Sequence, residues 1–262
     1  MSSRSPLDQG VLRARINAHE FSMGIFVGLN APMSAEIAAL NGVDWVLLDL
    51  EHGGGGEDQV GPTVVAAGAY GVPTLVRVES AVRIRIGRAL DAGAAGIMIP
   101  RLESPSEIQE SIKHLSYPPL GDRGVATYNR SAQWGKNAAA LTAPRMCVGI
   151  VQIESAKALG SIDEIAAIDG VDVLFIGPLD LSFDLGVPRD FKNPKFIEAT
   201  EKVVNAAKKA GKVAGILALD AAGAIDYRNR GFNFVAVGSD STLLASAVNA
   251  QMTEVRTQTT NK

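Results

Sequence analysis

The sequence predicts a single (β/α)8 barrel, and three observations carry that prediction. From Gly24 onward, short apolar, β-branched runs alternate with amphipathic stretches, the pattern of repeated βα units around a parallel sheet. The apolar runs end in polar groups, as strands do at the catalytic rim of such a barrel. Trp45-Val46-Leu47-Leu48 leads into Asp49, Glu51 and His52, Pro73-Thr74-Leu75-Val76 into Arg77, and Ala95-Gly96-Ile97-Met98-Ile99-Pro100 into Arg101. The length of 262 residues is near the roughly 250 of one barrel, so residues 1–262 are read as one domain.

Eight buried strands are expected near 24–29, 44–49, 73–78, 95–100, 146–153, 172–177, 213–218 and 233–238. Helices are expected at about 34–41, 57–70, 81–92, 105–116, 154–168, 194–211, 220–230 and 240–254. Asp220 and Ser239 suit helix starts, where a side-chain oxygen accepts a free amide N–H, and Gly211 and Gly231 suit stops. The largest irregular segment, 117–144, places arginines beside aromatics (Arg123, Tyr128, Arg130, Trp134) and is read as a functional loop, a lid or a subunit contact. Gly53 to Gly56 lacks the phosphate-loop pattern and is expected to be a flexible turn giving backbone room. The small polar ends, Met1 to Pro6 and Thr257 to Lys262, are expected to fray.

With 47% hydrophobic residues the chain can bury a sizeable core, and a net charge of −3 offers no basic field to nucleic acid or an anionic membrane. The first twenty residues hold no signal-peptide core, and no apolar run reaches the ~18 residues of a membrane span, so a cytoplasmic location is expected. The lone cysteine, Cys147, lies in an apolar run and is read as a core residue. His19 falls in the N-terminal segment and His114 in a helix expected at the surface.

Glu154 and Asp180 each follow an apolar run and would reach the same rim, where two oxygen ligands suit magnesium, manganese or a similar cation that takes its remaining ligands from water and substrate. The plain alternative is that Glu154 begins or caps a helix and Asp180 stabilises a turn. A 2-oxo acid could chelate such an ion through its keto and carboxylate oxygens, which eases loss of a proton next to the carbonyl. Arg77, at a strand end, is placed to stabilise an oxyanion, with pairing to Glu51 as a compatible role. His52 stands beside acids and suits general acid or base work. No expected strand ends in lysine. Lys212 precedes its strand, and Lys157 and Lys208-Lys209 fall in helices, which argues for a metal-dependent over an imine-forming mechanism.

Four strings together, Asp44-Trp45-Val46-Leu47-Leu48-Asp49-Leu50-Glu51-His52, Tyr117-Pro118-Pro119-Leu120-Gly121-Asp122-Arg123-Gly124, Val151-Gln152-Ile153-Glu154-Ser155 and Phe175-Ile176-Gly177-Pro178-Leu179-Asp180-Leu181-Ser182, give the chain its resemblance. From about residue 20 to 255 it resembles the HpcH/HpaI aldolases, class II pyruvate aldolases that cleave or form 4-hydroxy-2-oxo acids. The resemblance implies a barrel whose eighth helix is exchanged between subunits, assembled as dimers and usually hexamers. It implies that Glu154 and Asp180 bind the metal, that Gln152 and backbone amides around Gly177, Pro178 and Leu179 position the pyruvate part, and that Arg77 stabilises the enolate. His52 would work with Asp91 contributed by another subunit, and Asp49 would support the site from behind. Asp91 also invites a local explanation. It lies near an expected helix C-terminus, where the dipole disfavours an acid by about 0.3–1 kcal/mol, and an ion pair with Arg85 or Arg88 would account for it. Arg101 stands where several relatives carry an uncharged residue, so it and the bare Gly53–Gly56 run are candidates for shaping the aldehyde pocket.

The expected activity is reversible retro-aldol cleavage of a 4-hydroxy-2-oxo acid to pyruvate, or a close analogue, and an aldehyde. A divalent ion (magnesium, manganese or cobalt) would assist, with no organic cofactor, in a homo-oligomer. The rivals are a metal-dependent acyl-CoA lyase, for which no basic cluster is evident, and a non-catalytic 2-oxo-acid-binding protein on the same scaffold.

Overall fold

Each of the eight apolar runs pairs in parallel with the next, and the last closes on the first, in a computed structural model that describes residues 9–260. The strands are β1 (Ser22–Val27), β2 (Trp45–Asp49), β3 (Thr74–Arg77), β4 (Gly96–Ile99), β5 (Val148–Ile153), β6 (Val173–Ile176), β7 (Val213–Ala218) and β8 (Phe234–Ser239). The helices are α1 (Gln9–Asn17), α2 (Pro32–Leu40), α3 (Val60–Gly68), α4 (Arg83–Asp91), α5 (Pro105–Lys113), α6 (Ala156–Gly160), α7 (Ile162–Ala166), α8 (Pro178–Asp184), α9 (Pro194–Lys209), α10 (Ala221–Asn229) and α11 (Asp240–Thr260). Among these described residues no helix is long and apolar enough to cross a membrane.

The two-residue period of a strand fills the barrel and sets the site. Trp45 and Leu47 on β2, Leu75 on β3, Val148 and Ile150 on β5, and Val173 and Phe175 on β6 share one buried interior cluster. The Trp45 and Phe234 rings stack at 4.2 Å between centroids. One further step along the same faces brings Asp49, Arg77, Gln152 and Gly177 to the mouth. At the other end α1 inserts Leu12 and Ile16 into the interior cluster. There Arg13 binds Asp172 through Nη1 to Oδ1 (2.6 Å) and Nη2 to Oδ2 (2.9 Å), and Arg145 donates to Oδ2 at 3.0 Å.

Helix starts follow local chemistry. Proline opens α2, α5, α8 and α9, Ser104 and Glu107 form a reciprocal cap on α5, and Asp220 accepts the Gly223 N–H at 2.7 Å on α10. Ser239 caps α11 by accepting the Thr242 N–H at 3.2 Å, and Gly211 and Gly231 stop their helices with φ of 68° and 97°.

Several expectations need correction. Helices α1 and α8 were not expected. The helix expected at 154–168 is two pieces, α6 and α7, broken at Ser161. Helix α11 continues through Thr257 to Thr260 rather than fraying, while Met1 to Pro6 and residues 261–262 lie outside the described residues. His114 is buried, not on the surface, and its Nδ1 lies 2.7 Å from Asp122 Oδ1. Cys147 is buried as expected, and burial pushes its thiol pKa up.

Candidate active site

Strand β3 delivers Arg77 and strand β2 delivers Asp49 to adjacent, paired positions. The guanidinium grips Asp49 with two bonds, Nε to Oδ1 at 2.8 Å and Nη2 to Oδ2 at 2.6 Å, and its Nη1 lies 3.1 Å from Glu51 Oε2. This forked geometry leaves Arg77 no freedom to leave the mouth. Burial alone would raise the Asp49 pKa, but the Arg77 hydrogen bond and charge outweigh it and hold the carboxyl below its ordinary range. Burial likewise works against the Arg77 charge, and Asp49 and Glu51 outweigh it and raise its pKa. Asp49 Oδ1 also accepts the backbone N–H of Glu51 (3.1 Å) and His52 (3.3 Å), so the same carboxylate anchors the segment carrying the histidine. The His52 ring is largely exposed and its Nε2 lies 3.8 Å from Glu51 Oε2.

Two and three strands on from β3, β5 leads into Glu154 and β6 into Asp180 in the first turn of α8. Glu154 does not cap a helix. Ser155 does, accepting the Ala158 N–H at 3.1 Å, while Glu154 accepts from Gln152 Nε2 (2.7 Å) and from the Arg101 N–H (3.3 Å). Room for this carboxylate depends on Gly177, where a Cβ would sit 2.4 Å from Glu154 Oε1. Burial first, then the charges of Asp180 and Glu51, push the Glu154 pKa from 4.5 up to about 7, against the partial relief of Arg77 and the Arg101 N–H. Four carboxylates thus gather around one guanidinium, and Arg77 is already engaged by Asp49 and Glu51. This donor set fits a divalent cation at Glu154 and Asp180. Among the described residues no group of three acid, histidine or cysteine side chains is placed to hold a metal ion, so such an ion would complete its shell from water and substrate.

A cleft of about 390 Å³ joins these groups. Of the residues expected at the site, Asp49, His52, Arg77, Gln152, Glu154, Gly177, Pro178, Leu179 and Asp180 border it. No lysine lines it. Sequence reasoning missed Phe26, Leu217, Leu219, Ser239, Ser241 and Thr242, which form the wall away from the acid pair. Their signal was available, since each lies in the last two residues of a strand at the same rim or within three residues after it.

Two expected residues stand apart. Arg101 has φ 55° and borders a separate recess of about 360 Å³ with Glu103, Phe183 and Asp184, on the other side of Glu154 and Asp180. Asp91 ends α4 and does not border its own chain's cleft. It does have an ion-pair partner, but not the expected one. Arg123 Nη2 binds Asp91 Oδ1 at 2.6 Å, whereas Arg85 and Arg88 both pair with Glu57. The loop 117–144 is tied to the same end of α4 through Arg123 and through the Arg130 N–H to Asp91 O (3.1 Å), so in its own subunit it is no lid over the cleft. Tyr128 and Trp134 of this loop are exposed.

The family profile described as HpcH/HpaI aldolase/citrate lyase matches residues 22–247. The chain is 37% identical to a hydroxypyruvate/pyruvate aldolase of Paraburkholderia phytofirmans over 94% of this chain and 97% of that one. It is 35% identical to a 2-keto-3-deoxy-L-rhamnonate aldolase of Klebsiella pneumoniae over 95% and 92%. A crystal structure of an HpcH/HpaI aldolase/citrate lyase family protein from Burkholderia cenocepacia superimposes with a TM-score of 0.89 and 34% identity, covering 94% of this chain and 99% of that one.

Proposed function

Because the chain belongs to the HpcH/HpaI aldolase/citrate lyase family, we propose that it is a divalent-metal-dependent aldolase that reversibly cleaves a 4-hydroxy-2-oxo acid to pyruvate, or a close analogue, and an aldehyde. The observation that carries this reading is the cleft itself, which sets a fixed guanidinium across from two acids that form no ion pair among the described residues, and among those residues no lysine lines it to form an imine.

Glu154 and Asp180 would hold the ion. Bound magnesium, manganese or cobalt would supply Lewis acidity to the keto and carboxylate oxygens of the 2-oxo acid. Gln152, whose Oε1 is buried without a partner among the described residues, and the amides of Gly177 and Leu179 would orient the pyruvate part. Pro178 shapes that turn without an N–H of its own. In the cleavage direction His52 takes the proton of the C4 hydroxyl, directly or through water, the C3–C4 bond breaks, and the electron pair moves toward the C2 oxygen. Arg77 faces the negative charge that develops there, and Asp49 holds Arg77 in place from behind. Proton return to C3 releases pyruvate.

The assembly belongs to the same reading. Helix α11 makes its principal contacts with β1 and β8 of its own barrel and leaves Leu244, Val248, Met252 and Val255 exposed, while Met33, Ile37 and Leu40 form an uncovered apolar face on α2. A partner's α11 laid across that face would bury both, as in an exchanged helix, in a dimer-based oligomer, with a hexamer as the expected state. Asp91, held at the opposite end of its own barrel, would then meet His52 of another subunit. Mixing inactive Asp91→Asn and His52→Ala subunits should restore part of the activity if they do. With no membrane-spanning helix among the described residues, the cytoplasm is the proposed site of action.

A coupled pyruvate-release assay over a panel of 4-hydroxy-2-oxo acids with added divalent metals tests the function. Turnover on one or more supports the reading. Turnover only on an acyl-CoA thioester, or tight 2-oxo-acid binding with no turnover, contradicts it.

A further inference from the structure

The loop that carries His52 rests on a side chain that neither the family likeness nor the cleft brings forward. Asn30 lies between β1 and α2, is 4% exposed, and adopts φ 51°, a left-handed backbone that asparagine tolerates better than most residues. Both polar atoms of its amide are buried without a partner among the described residues. The amide therefore contributes no bond that explains its burial. What it does contribute is shape. A Cβ on Gly53 would lie 2.1 Å from Asp49 O and 2.2 Å from Asn30 Oδ1, and one on Gly55 would lie 2.7 Å from Asn30 Cβ and 3.2 Å from Nδ2. A Cβ on Gly54, between them, would meet nothing nearer than 4.0 Å. The glycine run is thus not a free turn, as its sequence suggests, but a strip of backbone seated on Asn30 at alternate residues. It is tied at a third point by the Gly54 N–H to Gly28 O, 2.9 Å. On the other side of His52, Asp49 holds the Glu51 and His52 amides.

From these contacts we propose that Asn30 is a positioning residue for the reaction, setting the height of the His52 loop above the barrel mouth through its packing against Gly53 and Gly55. Asp49 fixes one end of the segment and Asn30 supports the other, so the imidazole, which makes few contacts itself, takes its place from the backbone between them. The inference rests on the proposed acid–base role of His52.

The experiment is a double-mutant cycle read in kcat and KM, with His52→Ala assayed beside it. Asn30→Gly keeps the left-handed backbone and removes only the support. It should lower kcat by about tenfold with KM, metal affinity and oligomeric state little changed, and Asn30→Asp, which restores the shape, should recover most of the loss. Gly55→Ala should lower kcat comparably by pressing on Asn30. Since the three atoms nearest the Gly55→Ala methyl all belong to Asn30, adding it to Asn30→Gly should refill the space and make the pair better than the product of the single effects. Multiplicative single effects, or wild-type kcat in Asn30→Gly, would overturn the proposal. If His52→Ala itself retains full activity, the acid–base reading fails instead, and the two failures are told apart within one set of assays.

Discussion

The two ends of the barrel each carry a buried arginine–carboxylate network, and they differ in which charge is in excess. At the end closed by α1, one carboxylate, Asp172, receives two guanidiniums, Arg13 and Arg145, and Arg13 turns its remaining N–H groups to the carbonyls of Met146 and Cys147. At the open end Asp49, Glu51 and Glu154 act on the guanidinium of Arg77, with Asp180 acting on Glu154, and burial first, then the neighbouring acid charges, raise the Glu154 pKa to about 7. The first arrangement is met largely by protein atoms, with Arg145 Nη1 left without a partner among the described residues, and reads as structure. The second leaves acid oxygens for something to bind. An ion pair in a barrel is thus interpreted by the charge left unmatched around it, not by its geometry, since both networks have short, forked bonds.

Removing the excess acids should break this contrast most severely. Glu154→Gln or Asp180→Asn is expected to abolish tight divalent-metal binding, measured by calorimetry, and to reduce pyruvate release to background. Arg77→Ala should lower kcat by about 10²–10³ while metal affinity changes little, because the charge acts on a developing oxyanion. A loss of only a few-fold would return Arg77 to a structural role. At the closed end Asp172→Asn strands two arginines and should cost about 3–5 kcal/mol of stability in denaturant unfolding, with kcat of the folded protein unchanged. A catalytic defect without a stability defect there would contradict the division of labour.

The acidity of Glu154 sharpens the comparison through pH. Its folded pKa lies above the unfolded value of 4.5, so the folded, metal-free protein holds the extra proton between the two. Metal-free stability should accordingly fall as pH rises from about 4.5 to about 7, by at most about 3 kcal/mol, and metal affinity should weaken as pH drops below about 7 because the ion must displace that proton. Thermal unfolding with and without metal across this range reads both trends, and Glu154→Gln should flatten them. The smallest effect expected is at Arg101. Its recess lies beyond the acid pair, so Arg101→Ala should alter the ratio of carboxylated to neutral aldehydes accepted in the synthetic direction and leave pyruvate binding alone.

Much of the barrel and its mouth was legible because both follow from strand periodicity. A run that alternates between the interior and the helices, and then ends in Asp49, Arg77 or Glu154, states which rim those groups reach. Helix α1 was not legible, since its contribution to the core is only Leu12 and Ile16 one turn apart among arginines. The short α8 hid behind a strand end, although Pro178 at its first position is a start signal. Asp91 shows the limit of local reasoning, because helical spacing nominates Arg85 and Arg88 while the partner, Arg123, arrives from a loop 32 residues away. Asn30 gave no signal at all, since its importance lies in what Gly53 and Gly55 would strike if they were larger.

The central claim, that the unmatched acids at the open end hold a catalytic cation, is tested most directly by assaying pyruvate release from a 4-hydroxy-2-oxo acid after exhaustive chelation and again after adding back magnesium, manganese or cobalt. The account predicts activity at background in the stripped enzyme and recovery with at least one of these ions. Full turnover in protein shown to be metal-free would contradict it.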